Sequence, residues 1–118
     1  MNYDFEKHAD YFLVRIEGKL TENEFSELLL EDIEDEVSED ELQNFLLDLS
    51  QVEFIDSGGI NVLLAMLTRS RISGGETVLA AVNEQVGKVL LITKLQSIFT
   101  VYETAKEASE HFKVMVKS

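Results

Sequence analysis

Two periodicities alternate along this chain, one of two residues and one of three to four, and each change of period marks a change of element. Tyr3 and Phe5 alternate with Asn2, Asp4 and Glu6, a short strand with one wet face that suits a sheet edge. Phe12, Val14 and Ile16 alternate with Leu13, Arg15 and Glu17, so a second strand follows and ends at Gly18. The gap around His8 to Asp10 is short enough for a hairpin. Phe25, Leu28, Leu29, Ile33 and Val37 then fall on one helical stripe. Thr21-Glu22-Asn23-Glu24 reads as a capping box, with Leu20 and Phe25 as its hydrophobic staple, and predicts a helix from about Glu22 to Val37.

The run Phe45, Leu46, Leu47 and Leu49 leaves no polar side, which predicts a strand buried on both faces with Asp48 as its only interior charge. After Val52, Phe54 and Ile55 the pattern breaks at Asp56 and Ser57, whose side-chain oxygens can accept from the free N–H groups of a first helical turn. Gly58 and Gly59 carry no Cβ to obstruct an approach from outside. The junction therefore presents a hydroxyl at a helix N-terminus, where the macrodipole tolerates a phosphate. The helix it opens runs from about Gly58 to Ser73, and Asn61 is the sole polar residue between Ile60 and Leu67. That apolar surplus means either packing against neighbouring helices, the favoured explanation, or an apolar patch exposed beside Ser57.

Thr77 to Val82 predicts another buried strand, and Glu84 to Thr93 a short helix turning Val86, Val89, Leu90 and Thr93 inward. Ile98 to Tyr102 predicts the last strand. Thr104-Ala105-Lys106-Glu107 is a second capping box, opening a helix to about Lys113 that buries Ala105, Ala108 and Phe112. The order ββαβαβαβα implies an α/β fold over residues 1–118, a mixed, mostly parallel sheet with flanking helices.

At 118 residues the chain suits one domain able to withdraw roughly two thirds of its surface from water. The absence of cysteine excludes disulfides and thiolate chemistry. Met1 to Asp10 lacks the apolar run of a signal peptide, and Val62 to Leu67, the longest apolar run, is too short to span a bilayer, so a cytoplasmic protein is expected. The net charge of −13 is unevenly spread: residues 1–56 carry 18 acids and 3 bases, residues 57–118 carry 5 acids and 7 bases. A field of this sign repels nucleic acid; it either simply keeps the protein soluble, the favoured reading, or speeds encounter with a basic partner surface. Eight of the eleven residues from Glu31 to Glu41 are acidic, without the glycine and ligand spacing of a calcium loop. They read as a solvated, fraying helix end.

Catalytic chemistry is scarce. His8 and His111 stand near opposite ends of the chain without metal-ligand spacing, Ser57 is in no Gly-x-Ser-x-Gly elbow, and no Gly-Lys-Ser/Thr occurs. Aspartyl phosphorylation at Asp48 or Asp56 lacks the paired acids and late lysine that such chemistry uses. No enzyme activity, cofactor or metal is expected.

Asp48-Leu49-Ser50 through Asp56-Ser57-Gly58-Gly59-Ile60 resembles the central motif of the STAS domains of bacterial anti-sigma factor antagonists. Gly18 and Leu20, Gly74-Gly75, and the segment from Leu95 through Ile98-Phe99, Val101-Tyr102 and Glu107-Ala108 extend the resemblance over about Tyr11 to Phe112. Gly58 stands where many members carry a second Ser or Thr, and Lys94 where glycine is common. The resemblance implies a STAS-like fold and Ser57 as phosphoacceptor. It further implies a partner surface of Asp56, Ser57, Gly58, Gly59, Ile60, Asn61 and Leu64, an anti-sigma factor serine kinase as partner, and a PP2C-type phosphatase acting in reverse. Neither nucleic acid nor membrane enters this scheme. The alternative is a constitutive STAS interaction module, a subunit of an assembly or transport system, in which Ser57 is only an N-cap.

Overall fold

Five strands pair in the order in which the chain makes them. The computed structural model describes residues 2–21, 24–36 and 43–117. Its strands are β1 (Asn2–Lys7), β2 (Phe12–Leu20), β3 (Phe45–Ile55), β4 (Thr77–Ala80) and β5 (Thr100–Tyr102), and its helices α1 (Glu24–Glu36), α2 (Ser57–Ile72), α3 (Glu84–Ile92) and α4 (Ala105–Lys117). The expected ββαβαβαβα order is observed, with a 3₁₀ turn at Leu95–Ser97 ahead of β5. The sheet order is β1-β2-β3-β4-β5. β1 lies at the edge and pairs antiparallel with β2, from Asn2↔Glu17 to Lys7↔Phe12, whereas the other three pairings are parallel.

This order fixes the layers. Each crossover from β2 to β5 steps to the next strand in the same direction, so right-handed connections place α1, α2 and α3 on one face. There Leu29, Ile33, Leu63, Met66, Val86 and Leu90 meet Val14, Ile16, Leu47, Leu49 and Leu79 in one core. α4 follows the last strand and covers the other face, where Ala108 and Phe112 pack on Leu13, Leu46, Val78 and Ala80. The start of β3 is thus covered on both sides, which is why its sequence is apolar without alternation.

Several boundaries differ from expectation. The α1 stripe centres on Leu29 and Ile33, both buried, with Leu30 flanking it, while Leu28 is 41% exposed. Leu28 precedes Leu29 by 100° of helix rotation, which carries it off the buried arc. Glu22, Asn23 and residues 37–42 lie outside the described residues, and with them the first capping box and the end of the acidic block; Glu31 and Asp35 of that block are exposed. β4 stops at Ala80 because Ala81 takes a left-handed conformation, φ 57°, while donating its N–H to the Tyr102 carbonyl at 3.0 Å. β5 is shortened to three residues because Leu95–Ser97 forms the 3₁₀ turn, and Ile98 and Phe99 serve as the link. Thr93 is exposed rather than inward, and its hydroxyl donates to the Val89 carbonyl at 2.7 Å as α3 ends. The Thr104 hydroxyl caps α4 as expected, accepting from the Glu107 N–H at 3.1 Å.

Candidate functional site: the β3–α2 junction

β3 delivers Ile55 into the core, 4% exposed, and the chain turns at once. Asp56 keeps an extended backbone, φ −117° and ψ −171°, and is the N-cap of α2. Its Oδ1 accepts the Gly59 N–H at 2.9 Å, and its carbonyl accepts the Ile60 N–H at 3.0 Å. Its own N–H points to the Leu20 carbonyl at 3.4 Å, tying the junction to the end of β2. Ser57 is consequently the first helical residue, exposed, and among the described residues its hydroxyl has no hydrogen-bond partner. This corrects the reading of Ser57 as an N-cap: the carboxylate one residue earlier holds that position, and the hydroxyl is left to solvent.

Gly59 has a different reason from the one expected. It is buried, and a Cβ there would lie 2.0 Å from the Leu20 carbonyl oxygen and 2.8 Å from Ile55 Cγ1. The missing side chain lets α2 seat against the backbone of β2 from inside rather than admitting a group from outside. Gly58 is half-buried at the surface.

Beyond the first turn α2 uses its apolar residues for the fold. Val62, Leu63, Met66 and Leu67 are buried, and Ile60 and Leu64 are half-buried against the core shared with α1 and α3. The apolar surplus is therefore core packing, the favoured of the two explanations. Of the seven residues assigned to a partner surface, Ser57 and Asn61 are exposed, Asp56, Gly58, Ile60 and Leu64 half-buried, and Gly59 buried. All seven lie within the nine residues from the cap Asp56 to Leu64, so the structure brings them together.

Three features escaped the sequence reading. Asn83 caps α3, its Oδ1 accepting the Val86 N–H at 2.8 Å, while its Nδ2 donates to the Val52 carbonyl at 2.5 Å on the part of β3 beyond β4. An Asn before Glu-Gln-Val was a legible cap signal; its second bond was not. Phe54 is 40% exposed. His111, on α4, is held between the Tyr102 hydroxyl at Nδ1, 2.6 Å, and Glu76 Oε2 at Nε2, 2.9 Å. Burial, Glu76 and Glu107 all raise the Tyr102 pKa, and the two bonds of His111 fasten α4 to β5 and to Glu76, the residue just ahead of β4. Among the described residues no group of three or more His, Cys, Asp or Glu could hold a metal ion, and no helix is long and apolar enough to cross a membrane.

A profile of the STAS domain matches residues 2–108. The chain belongs to the STAS domain family. Its STAS fold resembles the crystal structure of a putative anti-sigma factor antagonist from Thermotoga maritima, with a TM-score of 0.82, 29% identity and 94% of each chain covered. It also resembles the Bacillus cell fate determinant SpoIIAA in its phosphorylated form, with a TM-score of 0.74 over 93% of this chain and 98% of that one; at 18% identity this is a likeness of STAS fold alone. In sequence, this STAS domain is 24% identical over 115 residues to the anti-sigma F factor antagonist of Paenibacillus polymyxa, covering 98% of this chain and 97% of that protein.

Proposed function

We propose that this STAS domain is an anti-sigma factor antagonist that binds a kinase-type anti-sigma factor over the start of α2 and is released when Ser57 is phosphorylated. The observation that carries the reading is the position of Ser57: an exposed hydroxyl on the first residue of α2, beside a cap that is already satisfied by Asp56. Phosphorylation there disturbs no hydrogen bond of the fold. It adds about −1.5 to −2 charge at the positive end of a 16-residue helix, where the free domain bears it easily. In a packed interface the same charge stands next to Asp56 with no cation, and burying it costs several kcal/mol. The likeness to relatives named as anti-sigma factor antagonists supports the same reading. A PP2C-type phosphatase would restore the binding form.

Ser57→Asp tests it. Calorimetric titration against the purified cognate anti-sigma factor is expected to show at least about tenfold weaker binding, about 1.4 kcal/mol, at an unchanged melting temperature. Parental affinity of the Asp variant would remove Ser57 from the interface.

A further inference from the structure

β3 carries one more residue than β2 at two points of their pairing. Arg15 faces Asp48 but Glu17 faces Gln51, and Gly18 faces Val52 but Lys19 faces Phe54. An inserted residue exchanges the faces taken by every later side chain. The buried positions of the α1–α3 core accordingly run Leu49, Val52, Ile55, in steps of three rather than two. Gly18, at φ 88°, supplies the positive φ on the β2 side of the second irregularity.

The second shift decides the fate of two large side chains. Strict alternation from Val52 would bury Phe54 and expose Ile55. The inserted Glu53 reverses them, leaving Ile55 4% and Phe54 40% exposed. An aromatic ring is thereby turned away from the core three residues before Ser57. Bulges serve this purpose next to functional sites, where they re-aim a side chain. A span of three residues keeps the two Cα atoms within about 11 Å. A footprint of about 800 Å² per side centred on the Ser57 hydroxyl has a radius of about 16 Å, so the Phe54 Cα lies within that distance and its ring is reached where the footprint turns around the end of β3.

We infer that Phe54 is an anchor for the anti-sigma factor that docks over Ser57, filling an apolar pocket on that protein and carrying the interface from α2 around the end of β3 to the opposite face of the sheet. The inference rests on the reading of Ser57 given above. Aromatic side chains desolvated near the centre of an interface supply a disproportionate share of its free energy, and this one is already aimed outward in the free domain.

The test is a titration of the purified cognate anti-sigma factor with the parent, Phe54→Ala, Phe54→Leu and Ser57→Asp, with thermal melts of all four. Phe54→Ala is expected to weaken binding at least tenfold while melting within a few degrees of the parent, and Phe54→Leu to recover most of the affinity. Parental affinity for Phe54→Ala alongside weak binding of Ser57→Asp would overturn the anchor and leave the Ser57 reading standing. Parental affinity for Ser57→Asp, or no binding by the parent, would overturn the Ser57 reading and the anchor with it. A Phe54→Ala variant whose lost affinity tracks a collapsed melt, both restored by Leu, would make Phe54 structural and overturn the anchor.

Discussion

Asp56 and Ser57 are adjacent, polar and both able to cap a helix, yet in the structure only Asp56 does so, a difference that a pair of substitutions can test. Asp56→Ala removes the acceptor of the Gly59 N–H, the 2.9 Å bond that holds the first turn of α2. Loss of an N-cap of this type costs about 0.5–2 kcal/mol, and loss of a carboxylate from the positive end of the helix adds about 0.3–1 kcal/mol. The total, about 1–3 kcal/mol, should lower the melting temperature by several degrees in a chain of 118 residues. Ser57→Ala removes an exposed hydroxyl without a partner among the described residues and replaces it with the best helix former. Its effect should stay within about 0.5 kcal/mol. Urea unfolding of the parent and both variants, read by far-UV circular dichroism, measures the two costs on one scale. The division of duties is wrong if Ser57→Ala destabilises as much as Asp56→Ala, for then the hydroxyl is part of the cap.

Three further outcomes follow from local geometry. Gly59→Ala places a methyl 2.0 Å from a backbone carbonyl oxygen, which cannot yield as a side chain would; the expected loss of about 1–3 kcal/mol outweighs the helix-propensity gain of about 0.8–1.0 kcal/mol, and a parental urea midpoint would contradict it. Ala81→Gly and Lys94→Gly each relieve a left-handed residue, φ 57° and 62°, and should each raise stability by about 0.5–1 kcal/mol once the entropy of the new glycine is counted; a lowered melt in either would count against strain there. Burial, the hydrogen bond to Asp32 and the charges of Asp32 and Glu31 push the Tyr3 pKa up to about 12 from 10.0. Because the folded value exceeds the unfolded one, the associated stability is present below pH 10 and lost as pH rises towards 12. Tyr3→Phe should abolish the last phase of phenolate absorbance and flatten the melts over that window, and an unaltered titration curve would assign the late phase to another tyrosine.

The pattern of apolar positions carried the element order and the two-sided burial of β3, because each depends on periods that local sequence displays. It located the β3–α2 junction for the same reason, a strand pattern ending in residues that stop strands. Other features lay beyond it. The two register shifts depend on how β2 and β3 pair, so nothing in the spacing of Leu49, Val52, Phe54 and Ile55 distinguished the buried isoleucine from the exposed phenylalanine. Asp56 and Ser57 were equally good caps on paper, and what separates them is the bond that Asp56 Oδ1 accepts from the Gly59 N–H, with Gly59 seated closely against the Leu20 carbonyl across the fold. Leu28 and Leu29 are chemically alike, and only the face that α1 turns to the sheet buries one and exposes the other.

In the proposed switch, the Ser57 hydroxyl is the group a partner kinase modifies. Incubating the domain with its cognate kinase-type anti-sigma factor and ATP, then mapping the phosphate by tandem mass spectrometry, tests it directly. A single phosphate on Ser57 is expected in the parent and none in Ser57→Ala. A phosphate at any other residue, or equal phosphorylation of Ser57→Ala, would contradict it.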